Sequence, residues 1–552
     1  MSASSKKKLR KEQYEQKMTA RQEKERAEAK KLKRYTFAFV TTLVVLIIAA
    51  VIIGTYRWYE HSGKREKSTI AATFGDYKMN SVEMSYYYND AINDFYSQAY
   101  TSSYAEMYFE YLGLDLSKPL NKQINPETED TWANYFIDSA LETAQSDFAL
   151  YNLAMEAGFQ LTEEQQTTFD SEIKILKANA EYYGGVDSYL TQIYGYGSGI
   201  KSYTKYLERR EIAEAYYNAY YEGLTYTDEE IRAYEEDKYN DYSSYTYAYA
   251  YLSYKDFLEG GTKNDEGTTV YTEEENVAAR EKLKAAAESL LTATSVDNLK
   301  EMVAAVEINE SSQLAVNQET NQLHSAVANQ SSTLAAYLAD ENRKADEVGL
   351  VPIEAEITDE ETGEKKTVTN GYYVVYFQSL DDNTKFMSNV RHLLVKPEGG
   401  HLDDTTGETV YTEAEQAIAN TEAQKLLDSW KSGEATEESF IALVKEHTDD
   451  TASKETGGLY ENIHPHSEYM EAFRAWAVDP ARQVGDTGIV ETPYGQHIMY
   501  YAGDAEQTYR DYLIAEDLRN EEIEEFYNNA TNSVVVTKKD MSKINMSMVL
   551  AG

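Results

Sequence analysis

Residues 386–504 alternate between two hydrophobic periods. Short runs of period two read as half-buried strands, and longer stretches of period 3.6 read as amphipathic helices. Residues 390–395 (Val-Arg-His-Leu-Leu-Val) put His392 on one face with Val390 and Leu394. Residues 494–501 put His497 on one face with Met499 and Tyr501. Between them, residues 412–430 predict a helix opened by a Thr412/Glu415 capping box and striped with Ala414, Ile418, Leu426, Leu427 and Trp430. A second helix, 436–447, carries Phe440, Leu443 and Val444. Thr448-Asp449-Asp450 and a polar stretch lead to Gly457-Gly458, then to a short helix holding Tyr469, Met470, Phe473 and Trp476, and to a strand over 487–490. The predicted order is strand, two helices, loop, helix, strand, strand. Two inward histidines suit either a satisfied buried pair or a site, and Asp450 suits either a turn or a functional carboxylate.

The same pattern occurs earlier in the chain. Glu259-Gly260-Gly261 and Val270-Tyr271-Thr272-Glu273-Glu274-Glu275 return as Glu398-Gly399-Gly400 and Val410-Tyr411-Thr412-Glu413-Ala414-Glu415. Val348-Gly349-Leu350-Val351 matches Thr487-Gly488-Ile489-Val490, and Asn370-Gly371-Tyr372-Tyr373-Val374-Val375-Tyr376 matches residues 494–500. The expectation is two related α/β domains in tandem, 241–385 and 386–504. The first lacks the chemistry: its strand over 245–254 has no histidine, Tyr373 falls where His497 stands, and His324 reads as an exposed helix residue.

Arg391-His392-Leu393-Leu394-Val395, Thr448-Asp449-Asp450, Gly457-Gly458, Tyr469/Met470 with Phe473, and Thr492-Pro493-Tyr494-Gly495-Gln496-His497-Ile498-Met499, in this order, resemble the parvulin-type (rotamase, PpiC-like) peptidyl-prolyl isomerases. The resemblance covers residues 386–504. It implies a small antiparallel sheet flanked by helices and cis–trans isomerisation of X-Pro bonds without cofactor or metal. His392 and His497 would form a hydrogen-bonded pair with Thr492 beside them, and Asp450 would face the twisting carbonyl. Met470 or Tyr469, with Phe473, would grip the proline ring, with Ile463 and Tyr460 on its aromatic side. Where the family has a Leu-Gly-x-Phe run this chain reads Leu459-Tyr460-Glu461-Asn462-Ile463, and the loop over residues 464–468 is about one residue longer, which leaves the register of Tyr469 against Met470 open. The loop of residues 398–404 is acidic where phosphate-directed relatives are basic, which argues against phosphorylated substrates. His464 and His466 form a His-x-His pair with no third ligand in view, so no metal site is expected there.

Residues 35–56 hold 22 positions without charge, enough at ~1.5 Å per residue to cross ~30 Å of hydrocarbon. Residues 1–34 carry 13 Lys/Arg against 5 Glu, a net of +8, so this tail is expected on the cytoplasmic side of a single-pass membrane protein. The remainder then carries −43 − 8 = −51 and is expected outside the cell membrane. That charge keeps the outer region soluble and is unsuited to nucleic acid. With no cysteine, disulfides and a lipidated cysteine are excluded, and the apolar helix itself is the expected anchor.

Residues 57–240 predict a largely helical, tyrosine-rich domain with a hairpin-like start over 70–79. A helix over 507–529 and a strand over 533–537, within 505–552, would complete it. This segment resembles the chaperone domain of SurA-like and PrsA-like foldases. The 49 tyrosines suit either a groove for varied unfolded segments or ordinary half-buried packing. The expected whole is an α+β bacterial membrane-anchored foldase acting on newly secreted polypeptides with X-Pro bonds. The alternative is a tethered, non-catalytic chaperone or assembly scaffold that uses both α/β domains only to bind polypeptide.

Overall fold

The computed structural model describes residues 3–546 except 101–106, 108, 110, 116–117, 236–238, 265–266, 359–362 and 404–406. The uncharged, proline-free run near the N-terminus continues its flanking helix without a break. Residues Ala3–His61 form a single helix, α1, whose apolar stretch is exposed and is long and apolar enough to cross a membrane.

Beyond α1 the chain divides into two compact units, residues 1–224 with 521–552, and residues 225–520. The first unit opens with strands β1 (Ile70–Phe74) and β2 (Tyr77–Asn80), and the C-terminal strand Val536–Lys538 pairs antiparallel with β1 on its other edge. Helices α2 (Ser81–Tyr100), α3 (Trp132–Glu156) and α4 (Ile200–Gly223) pack around it. Some of its tyrosines are core residues: Tyr86, Tyr87, Tyr88 and Tyr206 are at most 1% exposed, whereas Tyr111 and Tyr182 are largely exposed. The Tyr86 hydroxyl is paired with that of Ser202 at 2.7 Å, while that of Tyr88 is buried without a hydrogen-bond partner among the described residues. The Arg209–Glu83 ion pair, 2.6 Å, is buried among these rings.

The second unit holds two four-stranded antiparallel sheets. The first contains β3 (Ser244–Ser253), β4 (Val316–Leu323), β5 (Glu347–Thr358) and β6 (Lys365–Asp381), in the order β4-β3-β6-β5. Helices α5 (Glu273–Ser289) and α6 (Val296–Ala304) lie between β3 and β4 in the chain. The second contains β7 (Phe386–Val395), β8 (Leu459–Ile463), β9 (Thr487–Thr492) and β10 (Gly495–Thr508), in the order β8-β7-β10-β9. Helices α7 (Glu413–Lys431) and α8 (Glu437–His447) follow β7, and α9 (Glu471–Ala477) follows β8. Strand order relative to chain order is the same in both sheets. Both helices α5 and α7 open with the expected capping box, Thr272/Glu275 and Thr412/Glu415.

Several expectations need correction. The departure at Leu459–Ile463 is an edge strand, β8, paired with β7. Tyr469 and Met470 precede α9 rather than lying in it, because Met470 has extended backbone. His324 is not exposed: it starts a short helix, and its Nδ1 is 3.0 Å from the Tyr245 hydroxyl. Residues 225–240 and 505–520 belong to the second unit, since Ile231 and Tyr242 pack against Ile514 of helix α10 (Tyr509–Ser533). Within the acidic loop, Asp404 lies outside the described residues.

Candidate active site

Strands β7 and β10 pair so that His497 stands opposite Leu394 and Met499 opposite His392. Since side chains alternate across a strand, both histidines emerge on one face, with Val390, Met499 and Tyr501. On the other face Leu393, Val395, Ile498 and Tyr500 pack against α7 and α8 through Leu427, Trp430, Phe440 and Val444. That apolar layer fixes the register, and a one-residue slip would turn both histidines into it.

The histidines are 3% and 7% exposed, and their Nδ1 atoms are 3.1 Å apart. His392 Nε2 is 3.0 Å from Asp450 Oδ2, and His497 Nε2 is 2.8 Å from the Thr492 hydroxyl. Burial lowers the pKa of His392 against the opposing pull of Asp450, and burial together with His392 holds His497 down at about 4. Burial alone would raise Asp450, but the Ser453 hydroxyl and His392 outweigh it and hold the carboxyl below its usual range. At neutral pH both imidazoles are therefore neutral and Asp450 is ionised. The proton positions follow. His392 Nε2–H donates to the carboxylate, which leaves His392 Nδ1 to accept from His497 Nδ1–H, which leaves His497 Nε2 to accept from Thr492. The backbone N–H of Tyr494 donates to the Thr492 hydroxyl oxygen at 3.2 Å and completes the line.

Asp450 is positioned by the turn ahead of Gly457-Gly458. The Thr448 hydroxyl oxygen accepts from the backbone N–H groups of Leu394 and Asp450, both at 3.1 Å, tying this turn to β7. Besides His392, Asp450 Oδ2 accepts from Ser453 and, at 3.2 Å, from the Tyr460 hydroxyl, while Oδ1 accepts from the Ala452 backbone N–H at 3.1 Å. The carboxylate thus uses its acceptor capacity within the protein. Gly458 adopts φ +71°, its carbonyl accepts from His392 N–H at 2.9 Å, and a Cβ there would lie 2.1 Å from the His392 carbonyl oxygen. Only glycine permits that approach.

Above the histidines is a cavity of about 220 Å³. Its floor is His392, His497 and Thr492, and its walls are Tyr460, Tyr469, Met470 and Phe473, with Glu468 and Tyr494 at the rim. Phe473 meets both imidazoles edge-on, at 5.4 Å from each. Tyr460, Tyr469 and Phe473 pack mutually at 5.4–5.9 Å. Both Tyr469 and Met470 line the space. Two expected contacts are absent. Ile463 is fully buried, packed with Val390 and Phe473, and Asp450, bonded to His392 Nε2, is not among the residues that line the cavity. The hydroxyl beside the cavity on that side belongs to Tyr460, whose pKa burial pushes up to about 12, so it stays a donor. Sequence reasoning missed Ser453 and, though Thr448 and Tyr494 stand within the quoted motifs, gave them no role. Ser453 and Thr448 stand three residues after and two before Asp450, a local turn pattern that offered a signal.

The neutral histidine pair held by a carboxylate, beneath a cavity walled by aromatic and thioether groups, stands on an antiparallel sheet backed by two helices. Residues 392–503 match the Rotamase family model, the PPIC-type PPIASE domain, and this segment is a peptidyl-prolyl cis–trans isomerase domain of that kind. No curated protein matches the chain. Similar solved structures include the peptidylprolyl isomerase PrsA of Bacillus anthracis (21% identity, 28% of this chain and 59% of that one, TM-score 0.17). That of Bacillus cereus has 22% identity over 31% of this chain and 54% of that one, TM-score 0.17. PrsA of Bacillus subtilis has 11% identity over 78% of this chain and 99% of that one, TM-score 0.26. The chain thus spans under two-thirds of the first two, and at these TM-scores the assignment rests on the family match alone.

Proposed function

We propose that the whole chain is a membrane-anchored foldase that isomerises X-Pro bonds in polypeptides emerging outside the cell membrane. The observation that carries this reading is the hydrogen-bonded His392–His497 pair at the floor of a small, largely apolar cavity. The barrier to be lowered is ~18–20 kcal/mol of amide rotation, which requires neither nucleophile nor metal. Phe473, Met470 and Tyr469 hold the pyrrolidine ring and exclude water. These walls favour the twisted amide over the planar one by keeping it from water, with the histidine line fixing the polarity of the floor. Asp450 acts as a positioning residue through His392 rather than on the carbonyl itself.

In this reading α1 is the anchor, with the +8 tail in the cytoplasm and the acidic units outside. The first unit, completed by the C-terminal strand, binds unfolded segments. The first sheet of the second unit is a parvulin-like domain without its site, supported by its shared strand order. The alternative of a non-catalytic scaffold draws on that same sheet, which shows the fold persisting without histidines. Acceleration of cis-to-trans exchange in short X-Pro peptides by the full chain in detergent, lost in His392→Ala, tests the enzyme. Absence of acceleration by the folded chain, with suppression of client aggregation, establishes the scaffold instead.

A further inference from the structure

The loop over residues 464–468 joins β8 to the cavity wall at Tyr469 and Met470, and it faces two ways. Inside the loop, Ser467 N–H donates to the His464 carbonyl and His464 N–H to the Ser467 hydroxyl oxygen, both at 3.0 Å, and the Arg474 guanidinium holds the Ser467 carbonyl at 3.0 Å. Its two histidines point away from the cavity, toward the junction between the two sheets of the second unit. His464 stacks on Tyr509 of α10 at 4.1 Å and 12°, and His466 stacks on the same ring at 5.3 Å. His464 Nδ1 accepts from the His466 backbone N–H at 3.2 Å, so the two rings are set together.

His466 Nε2 lies 3.1 Å from the hydroxyl of Ser244, the first residue of β3 in the site-less sheet. Ser244 is 1% exposed, and its oxygen also accepts from Asn383 Nδ2 at 2.9 Å, so its proton is left for His466. Asn383 sits in the short linker between the sheets, in left-handed backbone at φ +59°, and its side chain further donates to the Tyr242 carbonyl at 2.7 Å. The linker is in turn held by α10: Tyr509 N–H donates to the Lys385 carbonyl at 3.0 Å and Arg510 N–H to the Asn383 carbonyl at 2.8 Å. Ser244, Asn383 and Tyr509 thus belong to three segments that meet under one loop.

We propose that the site-less sheet clamps the proline pocket of its neighbour: Ser244 and Tyr509, through His466 and His464, hold the 464–468 loop so that Tyr469 and Met470 close the cavity. His464 and His466 are positioning residues for substrate affinity, and the first sheet is a working part of the second one's site. The proposal deepens the isomerase reading and rests on it for the ligand class. Its physical basis is that a five-residue loop with one free side has few conformations to lose, whereas an unclamped loop must be ordered by the substrate at a cost in affinity. The effect falls on affinity, because the histidine line and Asp450 do not contact the clamp.

The test uses the full chain in detergent and its Ser244→Ala, His466→Ala and His466→Gln variants. Three quantities are read: hydrogen exchange of backbone amides over 464–470, binding of a proline-containing peptide by titration, and kcat and KM for isomerisation. Ser244→Ala and His466→Ala are each expected to speed exchange of this segment and to weaken binding and raise KM about fivefold, with kcat within twofold. The double variant is expected to be no worse than the poorer single, as for two partners of one bond. His466→Gln, whose amide oxygen still accepts from Ser244, is expected to recover most of the affinity. Unchanged exchange over 464–470, or faster exchange with unchanged peptide binding, overturns the clamp. A wild-type chain that binds the peptide but does not isomerise it overturns the isomerase reading, and exchange with binding then decides the clamp alone.

Discussion

The two sheets of the second unit share strand order, capping boxes and paired helices, yet one carries a site and the other does not. The contrast is concentrated at two positions. The repeat aligns Tyr373 with His497 and Val375 with Met499, and in the first sheet Tyr249 stands opposite Val375 as His392 stands opposite Met499. The histidine pair is thus replaced by Tyr249 and Tyr373, whose rings meet edge-on at 5.7 Å. The Tyr249 hydroxyl takes its hydrogen bond from Gln330, 2.9 Å away, and Val327, Leu334 and Leu338 fill the space over that face. A four-stranded sheet of this strand order therefore forms without the two histidines. The buried polar residues at the floor of the second sheet, where burial disfavours their charged forms, are what the proposed chemistry rests on.

The largest effect that separates the sheets should come from His392→Ala. It removes the centre of the line from Asp450 to Thr492 and leaves a buried carboxylate and a buried imidazole each short of a partner. Isomerisation by the full chain is expected to fall on the order of 100-fold, about 3 kcal/mol in the barrier, while far-ultraviolet circular dichroism stays that of the wild type. A variant within threefold of wild type would make the pair structural, like the tyrosines of the first sheet.

Gly458→Ala probes the same strand from its backbone. A Cβ directed at the His392 carbonyl oxygen, at φ +71°, is expected to cost about 3 kcal/mol. The first sheet has no Gly-Gly at this place, so the damage should be confined to the second, visible as faster hydrogen exchange in β7 and β8 with β3 and β6 protected.

Acidification gives a third contrast. His497 titrates at about 4 in the fold and near 6.5 when unfolded, so between these values the unfolded chain binds the additional proton. This contribution is complete above pH 6.5 and is lost as pH falls toward 4, on the order of 3 kcal/mol in total. Denaturant midpoints at pH 7, 5.5 and 4 should therefore drop less steeply in His497→Gln than in the wild type. Parallel slopes would mean that His497 titrates in the fold as it does in the unfolded chain. Asp450→Asn is expected to do less, roughly a tenfold loss of isomerisation, because the amide oxygen still accepts from His392 and only the charge-assisted share of that bond is lost.

Much of this was legible in the sequence because the local signals were redundant. The capping box at Thr412 opened a helix where an apolar stripe also began, and alternation through Val390–Val395 put both the histidine and the core on defined faces. The strand β8 was not legible: Leu459-Tyr460-Glu461-Asn462-Ile463 has weak alternation, and its pairing with β7 is a tertiary fact. Neither was the place of Asp450 outside the cavity lining, since sequence spacing puts a carboxylate near an imidazole but does not say which of them borders the pocket. Nor were the contacts of the 464–468 loop outside its own sheet, His464 with Tyr509 and His466 with Ser244.

The smallest expected effect is the most direct test of the comparison. Restoring histidines to the first sheet, Tyr249→His with Tyr373→His in the His392→Ala background, is expected to recover no isomerase activity. The two rings would have no counterpart of Asp450 to set their tautomers, since no carboxylate touches Tyr249 in the way Asp450 touches His392 among the described residues. Nor would they open onto a cavity, because Val327, Leu334 and Leu338 cover that face with Leu334 and Leu338 fully buried. Activity measured in this triple variant would mean that the pair alone suffices and that the surrounding line and pocket contribute little. Its continued absence would place the catalytic difference between the sheets in the whole arrangement, tautomer control and open cavity together.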